Sequence, residues 1–345
     1  MASPSPTRGP RSAGPGKWPA ADLARLLAAY AAGDAEDVPV GPAVGVDAAV
    51  VRLGGTDLVV ASDPVTFAAD RIGAYAVIVN ANDVAVCGAR PRFFSATLLL
   101  PVDAGADLVE SIFADLSGAC RRLDVRLVGG HTERTAGLDR PIVAGTMLGD
   151  LEGRPPITAA GARPGDAAVL TGGAAIEATA LIAREKGDAL AGAVGAAVLE
   201  RARNFLSDPG ISVVEAACTA RDAGARALHD VTEGGVVTGL WEMAEASGLG
   251  IDVDADAVPV RGATRAVCEA VGIDPLEAIG SGALVAAVPE ASVDGLLGAL
   301  ASAGIEAACV GTFGPEGGDR RISRGGRTAP LVPPDRDAVA ALYDE

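Results

Sequence analysis

The chain has 345 residues, of which 49% are hydrophobic and only 3% aromatic, and its net charge is −17. This length favours two domains, and the composition predicts a core packed mainly from Ala, Val and Leu. Such an acidic chain repels phosphate backbones, so we expect no nucleic-acid partner. No apolar run reaches the roughly 18 residues that a membrane span requires, and the first residues lack a signal-peptide core, which predicts a cytoplasmic protein without a membrane segment.

The basic residues are almost all arginine, because Lys17 and Lys186 are the only lysines. An acidic, lysine-poor composition is typical of a halophilic protein, and the codon bias of a GC-rich genome is the alternative explanation. The five cysteines form no CxxC pair, and the chain has two histidines. These counts argue against a disulfide framework, a zinc site and a multi-histidine metal centre.

In the first half, the hydrophobic pattern alternates between helix and strand periods. Residues 1–16 are rich in Pro, Ser and Gly, which predicts a disordered tail. The elements predicted after it are a helix at 22–32, a hairpin of 47–53 and 57–62, a buried helix at 72–87, a strand at 93–100, a helix at 106–123, and strands at 126–128 and 142–148 around a polar loop at 131–139.

The second half follows a Pro/Gly-rich boundary at 151–165. We therefore predict one domain at 17–158, a second at 159–313, and a polar tail at 314–345. The predicted elements of the second domain are strands at 167–171, 251–253, 283–288 and 308–313 and helices at 175–185, 196–204, 211–223, 236–247 and 293–303. The mixture of both element types in both halves indicates an α+β or α/β fold.

Acidic residues in the first half stand at the ends of predicted elements or inside one. Asp47 leads into a strand, and Asp63 ends the next strand. Asn82 and Asp83 interrupt the apolar helix at 72–87, where a buried carboxylate needs a partner. Magnesium is held by carboxylates together with substrate phosphates, so these residues are candidate metal ligands. The alternatives are a cap or a bridge between loops for the helical pair and a turn for Asp63.

A second polar segment is a glycine turn with three polar side chains, and it reads Gly129, Gly130, His131, Thr132 and Glu133. Its residue types suit a phosphate contact and a proton-transferring group. A plain turn and a structural, hydrogen-bonded histidine are the alternatives.

The third segment lies in the second half and reads His229, Asp230, Val231, Thr232, Glu233, Gly234 and Gly235. An acid, a hydroxyl and two glycines stand where a strand gives way to the helix at 236–247. Backbone N–H groups and the positive end of the helix dipole can hold an anion there. Together the three segments predict an enzyme that binds a magnesium-bound nucleotide.

In this order, these segments resemble the superfamily named for aminoimidazole ribonucleotide synthetase (PurM), and most of all its HypE-like hydrogenase maturation factors. The stretch Asn82-Asp83-Val84-Ala85-Val86-Cys87-Gly88-Ala89-Arg90-Pro91 is similar to the HypE motif Asn-Asp-hydrophobic-Ala-x-x-Gly-Ala-x-Pro. Asp208-Pro209-Gly210 and the segment from His229 to Gly235 are similar to the family's C-terminal motifs. The resemblance spans about residues 20–313.

The resemblance implies an α+β, two-domain PurM-like fold, with a β-rich ATP-binding domain that dimerises and a C-terminal α+β domain that completes the cleft. The metal ligands that it implies are Asp47, Asp63, Asp83 and Asp230. The catalytic residues that it implies are Asp83, His131 and Asp230. The residues that it implies for cofactor binding are Asn82, Gly129, Gly130, Glu133, Thr232, Gly234 and Gly235. The implied cofactors are ATP and magnesium, and the implied chemistry is activation of an oxygen or phosphoryl transfer to an unidentified acceptor.

Two features depart from the family pattern. Val46 stands where the family's glycine turn has its first acid, which removes one possible metal ligand. The HypE tail carries a cysteine that is converted to a thiocyanate, whereas the last six residues here are Ala-Ala-Leu-Tyr-Asp-Glu. Three hypotheses stay open: an ATP- and magnesium-dependent enzyme with an unknown acceptor, a HypE-like maturation factor that works with a partner protein, and a nucleotide-binding regulator without catalysis.

Overall fold

The computed structural model describes residues 18, 20–31, 35–43, 46–66 and 71–343. The predicted disordered tail at 1–16 lies outside the described residues. The described helices are α1 (Ala20–Tyr30), α2 (Ile72–Val86), α3 (Ala106–Arg122), α4 (Ile176–Glu185), α5 (Gly187–Val194), α6 (Ala196–Arg203), α7 (Val214–Asp222), α8 (Gly235–Ala246), α9 (Gly262–Val271) and α10 (Val293–Ser302). The described strands are β1 (Ala49–Leu53), β2 (Thr56–Ala61), β3 (Pro64–Val65), β4 (Arg90–Leu100), β5 (Arg126–Arg134), β6 (Ile142–Asp150), β7 (Asp166–Thr171), β8 (Ala227–Val231), β9 (Leu249–Asp254), β10 (Ala283–Pro289), β11 (Ala307–Glu316), β12 (Arg320–Arg324) and β13 (Arg327–Pro330).

Each half of the chain builds one sheet. The first sheet has the order β1-β2-β6-β4-β5, and β3 also pairs with β6. Its strands run antiparallel except for the parallel pair of β4 and β5. The second sheet has the order β13-β12-β9-β11-β7-β10-β8. The predicted α+β fold with two domains is confirmed.

Helix α2 lies at the junction of the two halves. It is apolar on nearly every face and almost completely buried, as is usual for a helix that is covered on all sides. Val77, Ala81 and Val84 join a core that includes α3, the first sheet and parts of α7 and α10. Tyr75 and Ile78 pack instead into a cluster with α4, α6 and α9. Polar residues on α2 are therefore held between the two halves, away from bulk water.

The structure extends the chain's regular elements at two places where the sequence predicted polar, irregular segments. Strand β5 continues through Arg134, because the segment that begins at Gly129 pairs with β4 along its whole length. At Gly130 a Cβ atom would lie 1.8 Å from the carbonyl oxygen of Ala96, so only glycine allows this close pairing. All nine residues of β5 are exposed, which explains why the strand has no alternating apolar pattern.

The second such place is the predicted polar tail. Strand β11 continues to Glu316, and β12 and β13 form a hairpin that joins the second sheet through β9. Gly325 and Gly326, which both have positive φ, make the turn of this hairpin. No helix among the described residues is long and apolar enough to cross a bilayer.

Candidate functional site

Asn80 on α2 fixes the backbone of Asp63 at the end of the β2–β3 connection. Its Oδ1 accepts the N–H of Asp63 at 2.8 Å, and its Nδ2 donates to the Asp63 carbonyl at 3.1 Å. Nδ2 also donates to the carbonyl of Ala76, so this buried amide is engaged on both sides. The strand end that carries Asp63 is thereby tied to the buried helix.

Asp83 lies one helical turn beyond Asn80 and therefore on the same side of α2. It is 8% exposed, and its Oδ2 has no hydrogen-bond partner among the described residues. Burial, followed by the neighbouring charges of Asp230, Asp63 and Asp47, raises the pKa of Asp83 well above its ordinary value. A buried carboxylate with an unpartnered oxygen requires either a proton or a cation.

Asp47, just before β1, meets His229 and Asp230 near the end of β8, beside Asp83. A carboxylate oxygen of Asp47, a ring nitrogen of His229 and a carboxylate oxygen of Asp230 lie within 4.8 Å of one another. His229 Nδ1 lies 3.3 Å from Asp47 Oδ2, and His229 Nε2 lies 2.8 Å from Oε2 of Glu242 on α8. His229 is 6% exposed and Asp230 is 5% exposed.

The histidine is under opposing influences. Burial by itself lowers the pKa of His229, but the hydrogen bonds with Asp47 and Glu242 and the charges of Asp47 and Asp230 outweigh it, so the pKa is raised well above 6.5. The imidazole therefore stabilises two carboxylates when it carries both protons. It is one positive group among several negative ones.

We name the four predicted metal ligands Asp47, Asp63, Asp83 and Asp230 the acid cluster. The charges of the other three raise the pKa of Asp83, so the structure brings the four together from both halves of the chain. Two like charges about 4 Å apart repel by about 4 kcal/mol at an effective dielectric constant of about 20. Carboxylate oxygens are the ligands that hard divalent cations prefer. The unpartnered Asp83 oxygen and this donor set fit a divalent cation.

The site residues predicted on β5 lie away from the acid cluster. A row of backbone neighbours crosses the first sheet from the acid cluster to β5, and its members are Asp63, Gly145, Ala96 and Gly130. Three strand spacings separate Asp63 from Gly130, so their backbones lie about 14 Å apart. His131 Nε2 lies 3.0 Å from Glu133 Oε2, and these side chains are 64% and 49% exposed. Within one chain, the structure does not bring the predicted β5 residues to the acid cluster.

Asn82 makes its hydrogen bonds across the junction between the halves. Its Nδ2 donates to the carbonyl of Ile211 at 2.9 Å, and its Oδ1 accepts the N–H of Val213 at 2.9 Å. These contacts hold the segment that follows Asp208-Pro209-Gly210. A role of Asn82 in cofactor binding stays a prediction, and the bridge between loops considered from the sequence is present.

The segment from Thr232 to Gly235 stands, as predicted, between strand β8 and helix α8. Gly234 and Gly235 both have positive φ, and the Gly234 N–H donates to Asp337 Oδ2 at 2.7 Å. A carboxylate from the C-terminal region thus occupies one backbone donor that the sequence assigned to phosphate. A carboxylate at this position is itself what a helix N-terminus favours.

Sequence reasoning missed His229 and Glu242 as members of the site, and it missed Asn80 as the residue that positions Asp63. The position of His229 next to Asp230 at a strand end was a sequence signal that the histidine belongs to the site. No local pattern marked Glu242, because its contact spans 13 residues and depends on how α8 packs against β8.

Comparison with known proteins gives this site a family context. The family model of the AIR synthase related protein, N-terminal domain, matches residues 45–151, and that of the C-terminal domain matches residues 163–323. Carbamoyl dehydratase HypE of Cupriavidus necator is 32% identical over 262 residues, which is 73% of this chain and 71% of that protein. Carbamoyl dehydratase HypE of Rhodobacter capsulatus is 31% identical over 240 residues, which is 69% of this chain and 67% of that protein.

A solved structure supports the same relationship. The hydrogenase maturation protein HypE in complex with ATP superposes with a TM-score of 0.71 at 26% identity, covering 85% of this chain and 89% of that chain. Both matched domains, their order and the shared fold agree with the motifs. The chain therefore belongs to the AIR synthase related family, within the PurM superfamily, and is similar to its HypE-like members.

Proposed function

We propose that the chain uses ATP and a divalent cation to dehydrate a carbamoyl group during the maturation of a metal centre. The observation that carries this proposal is the convergence of the acid cluster from both halves of the chain around the unpartnered oxygen of Asp83. Relatives about 30% identical are named carbamoyl dehydratases, and a HypE structure at 26% identity holds ATP.

The reaction explains why ATP would be required. Dehydration converts a carbamoyl group, C(=O)NH2, into a cyano group, and the oxygen has to leave. Attack of that oxygen on the γ-phosphorus of ATP forms an O–P bond and releases ADP. The C–O bond then breaks, phosphate leaves with the oxygen, and loss of the two N–H protons forms the C≡N bond. One ATP is consumed for each oxygen removed.

The residues of the site take distinct parts in this scheme. The acid cluster would hold magnesium, which supplies positive charge to the phosphates and stabilises the transferred phosphoryl group. Gly234 would direct its backbone N–H at the N-terminus of α8 toward a phosphate, in competition with Asp337, whereas the Gly235 N–H donates to the carbonyl of Thr232. Asp83 would bring its unpartnered oxygen to the cation without first breaking a hydrogen bond at that oxygen.

The exposed β5 edge supports the predicted homodimer. Phe93, Leu127 and Val128 are 43%, 38% and 58% exposed along β4 and β5. An unpaired strand edge with apolar side chains is a template for pairing with a second copy. A second copy bound there would place the segment from Gly129 to Glu133 at an interface, where its proposed nucleotide contacts would form.

The test is a turnover assay with ATP, magnesium and a peptide that carries an S-carbamoyl cysteine. We expect ADP and phosphate to form together with the loss of one water from the peptide, as seen by mass spectrometry. Asp83→Asn should abolish both. Asp57→Asn is the matched control, because Asp57 forms an exposed ion pair with Arg52 on the β1–β2 hairpin.

Other products would decide among the remaining hypotheses. ATP cleavage without dehydration, together with phosphate on an added acceptor, would favour phosphoryl transfer to another molecule. ATP binding without turnover across a range of acceptors would favour a nucleotide-binding regulator. Formation of AMP in place of ADP would contradict the proposed phosphoryl chemistry.

A further inference from the structure

A histidine reaches the acid cluster from β8, and its ring is oriented by a fifth carboxylate. His229 Nε2 lies 2.8 Å from Glu242 Oε2, whereas Nδ1 lies 3.3 Å from Asp47 Oδ2. An ionised carboxylate only accepts hydrogen bonds, so Nε2 donates its N–H to Glu242. By the same rule Nδ1 donates its N–H to Asp47 when the ring carries both protons, and a cation held by Asp47 and Asp230 would take the place of that proton.

Once a cation has displaced the Nδ1 proton, the arrangement is that of a metal-ligating histidine. Such a histidine almost always donates its other ring N–H to a carboxylate or carbonyl, which fixes the tautomer and makes the free nitrogen a better ligand. The ligand atoms of Asp47, His229 and Asp230 lie within 4.8 Å of one another, a spacing that one cation can bridge. Asp83, with its buried and unpartnered Oδ2, adds a second observation that points to a cation nearby.

We propose that Asp47, His229 and Asp230 form a mixed nitrogen–oxygen site that binds a transition-metal ion such as Mn²⁺ in preference to Mg²⁺, with Glu242 as the positioning residue for His229. The inference rests on the cation site of the proposed function and specifies its metal class. Magnesium prefers oxygen ligands alone, whereas an imidazole nitrogen adds affinity for first-row transition metals.

The histidine content of the chain makes the assignment simple to test. His131 and His229 are the only two histidines, and His131 lies on the exposed strand β5. A nitrogen signal from a coordinated imidazole therefore has two possible sources, and one substitution removes each of them. The protein is studied without an affinity tag and without nucleotide, so that no other imidazole or base nitrogen contributes.

The experiment is electron spin-echo envelope modulation of the full chain loaded with Mn²⁺ alone, combined with competition by Mg²⁺. We expect ¹⁴N modulation in the wild type and in His131→Asn, and its loss in His229→Asn. The wild type should prefer Mn²⁺ over Mg²⁺ by about tenfold or more, and Glu242→Gln should weaken Mn²⁺ binding by about 10- to 100-fold while it keeps the modulation.

Each outcome bears on the inference. Bound Mn²⁺ without ¹⁴N modulation, or with equal modulation in His229→Asn, would overturn it and leave the proposed oxygen-ligated cation site intact. No Mn²⁺ binding in the wild type would overturn both the inference and the proposed cation site. If His229→Asn does not fold by circular dichroism, Glu242→Gln decides, because unchanged Mn²⁺ affinity in that variant contradicts the positioning of His229.

Discussion

Two polar regions of this chain, the acid cluster and the β5 segment from Gly129 to Glu133, contain similar residue types but have different structural surroundings. The acid cluster is assembled from residues distant in sequence, of which Asp83 and Asp230 are buried, Asp47 is partly buried and Asp63 is exposed. One oxygen of Asp83 has no hydrogen-bond partner among the described residues. The β5 segment presents His131 and Glu133 side by side in solvent, where each satisfies the other. Burial raises the pKa of Asp83, whereas the hydrogen bond from His131 lowers that of Glu133. A carboxylate in the acid cluster therefore requires a proton or a cation, whereas a carboxylate on β5 is stabilised by solvent and by a neighbouring side chain.

The largest expected difference between the two regions is in turnover. Asp230→Asn should lower ATP turnover by about 10²–10³-fold or more, because it removes charge that holds the cation at the transferred phosphoryl group. Glu133→Gln should have a smaller effect, since its partners are local. The measurement is ADP formation under saturating ATP. Equal losses in both variants would show that β5 is as much a part of the active site as the acid cluster is.

The second expected difference between the two regions is in how their variants change the stabilisation of the fold by a divalent cation. A divalent cation at about 100 times its dissociation constant should stabilise the fold by about 2.7 kcal/mol. Thermal unfolding with EDTA or with the cation measures this shift. Asp83→Asn should be at least as stable as the wild type in EDTA, because a buried charge is gone, and should lose the cation-induced shift. Glu133→Gln should keep it; loss of the shift there as well would place a cation ligand on β5.

Asn82 tests how far the junction between the halves depends on hydrogen bonds. Asn82→Ala leaves the carbonyl of Ile211 and the N–H of Val213 without their partner, and it should cost about 1–3 kcal/mol. His131→Ala on the exposed strand should change stability by less than about 0.5 kcal/mol. Urea unfolding compares the two. A cost below that of His131→Ala would mean that the junction does not need this amide.

The smallest expected effect concerns a buried carboxylate that does not belong to the acid cluster. Glu177 on α4 is buried, and its Oε2 has no partner among the described residues. Burial raises the pKa of Glu177 above 4.5, although hydrogen bonds from Ser281 oppose the shift. The protonated form is therefore favoured in the fold, and that contribution is complete below about pH 4.5 and is lost as pH rises through the folded-state pKa.

Glu177→Gln should accordingly gain stability relative to the wild type as pH rises from about 4 to about 8, by the order of 1 kcal/mol, or about 2–4 °C in the melting temperature. Glu133 is the control, because its lowered pKa gives the opposite sign. Melting temperatures of both variants across this range provide the comparison. A constant difference between Glu177→Gln and the wild type would contradict the burial argument.

Several features of the fold and site could be predicted from local patterns. The helix at Ile72–Val86 and the hairpin of β1 and β2 follow from apolar runs and a Gly-Gly turn. Helix α5, helix α9 and the hairpin of β12 and β13 were not predicted. The α5 segment is small and glycine-containing, and the β12–β13 hairpin is polar and exposed, so neither has a strong hydrophobic period.

The sequence by itself determined the family and the two-domain α+β fold, and it indicated the four acids as candidate metal ligands, because motif residues and their order are local properties. Only the tertiary structure decided which of them meet. It placed His229 and Glu242 at the acid cluster, made Asn82 a link between the halves, and left Gly130 on β5 about 14 Å from Asp63 within the chain. The physical reason is that a buried charge is compensated by whatever packing brings near it, and packing depends on contacts between residues far apart in sequence.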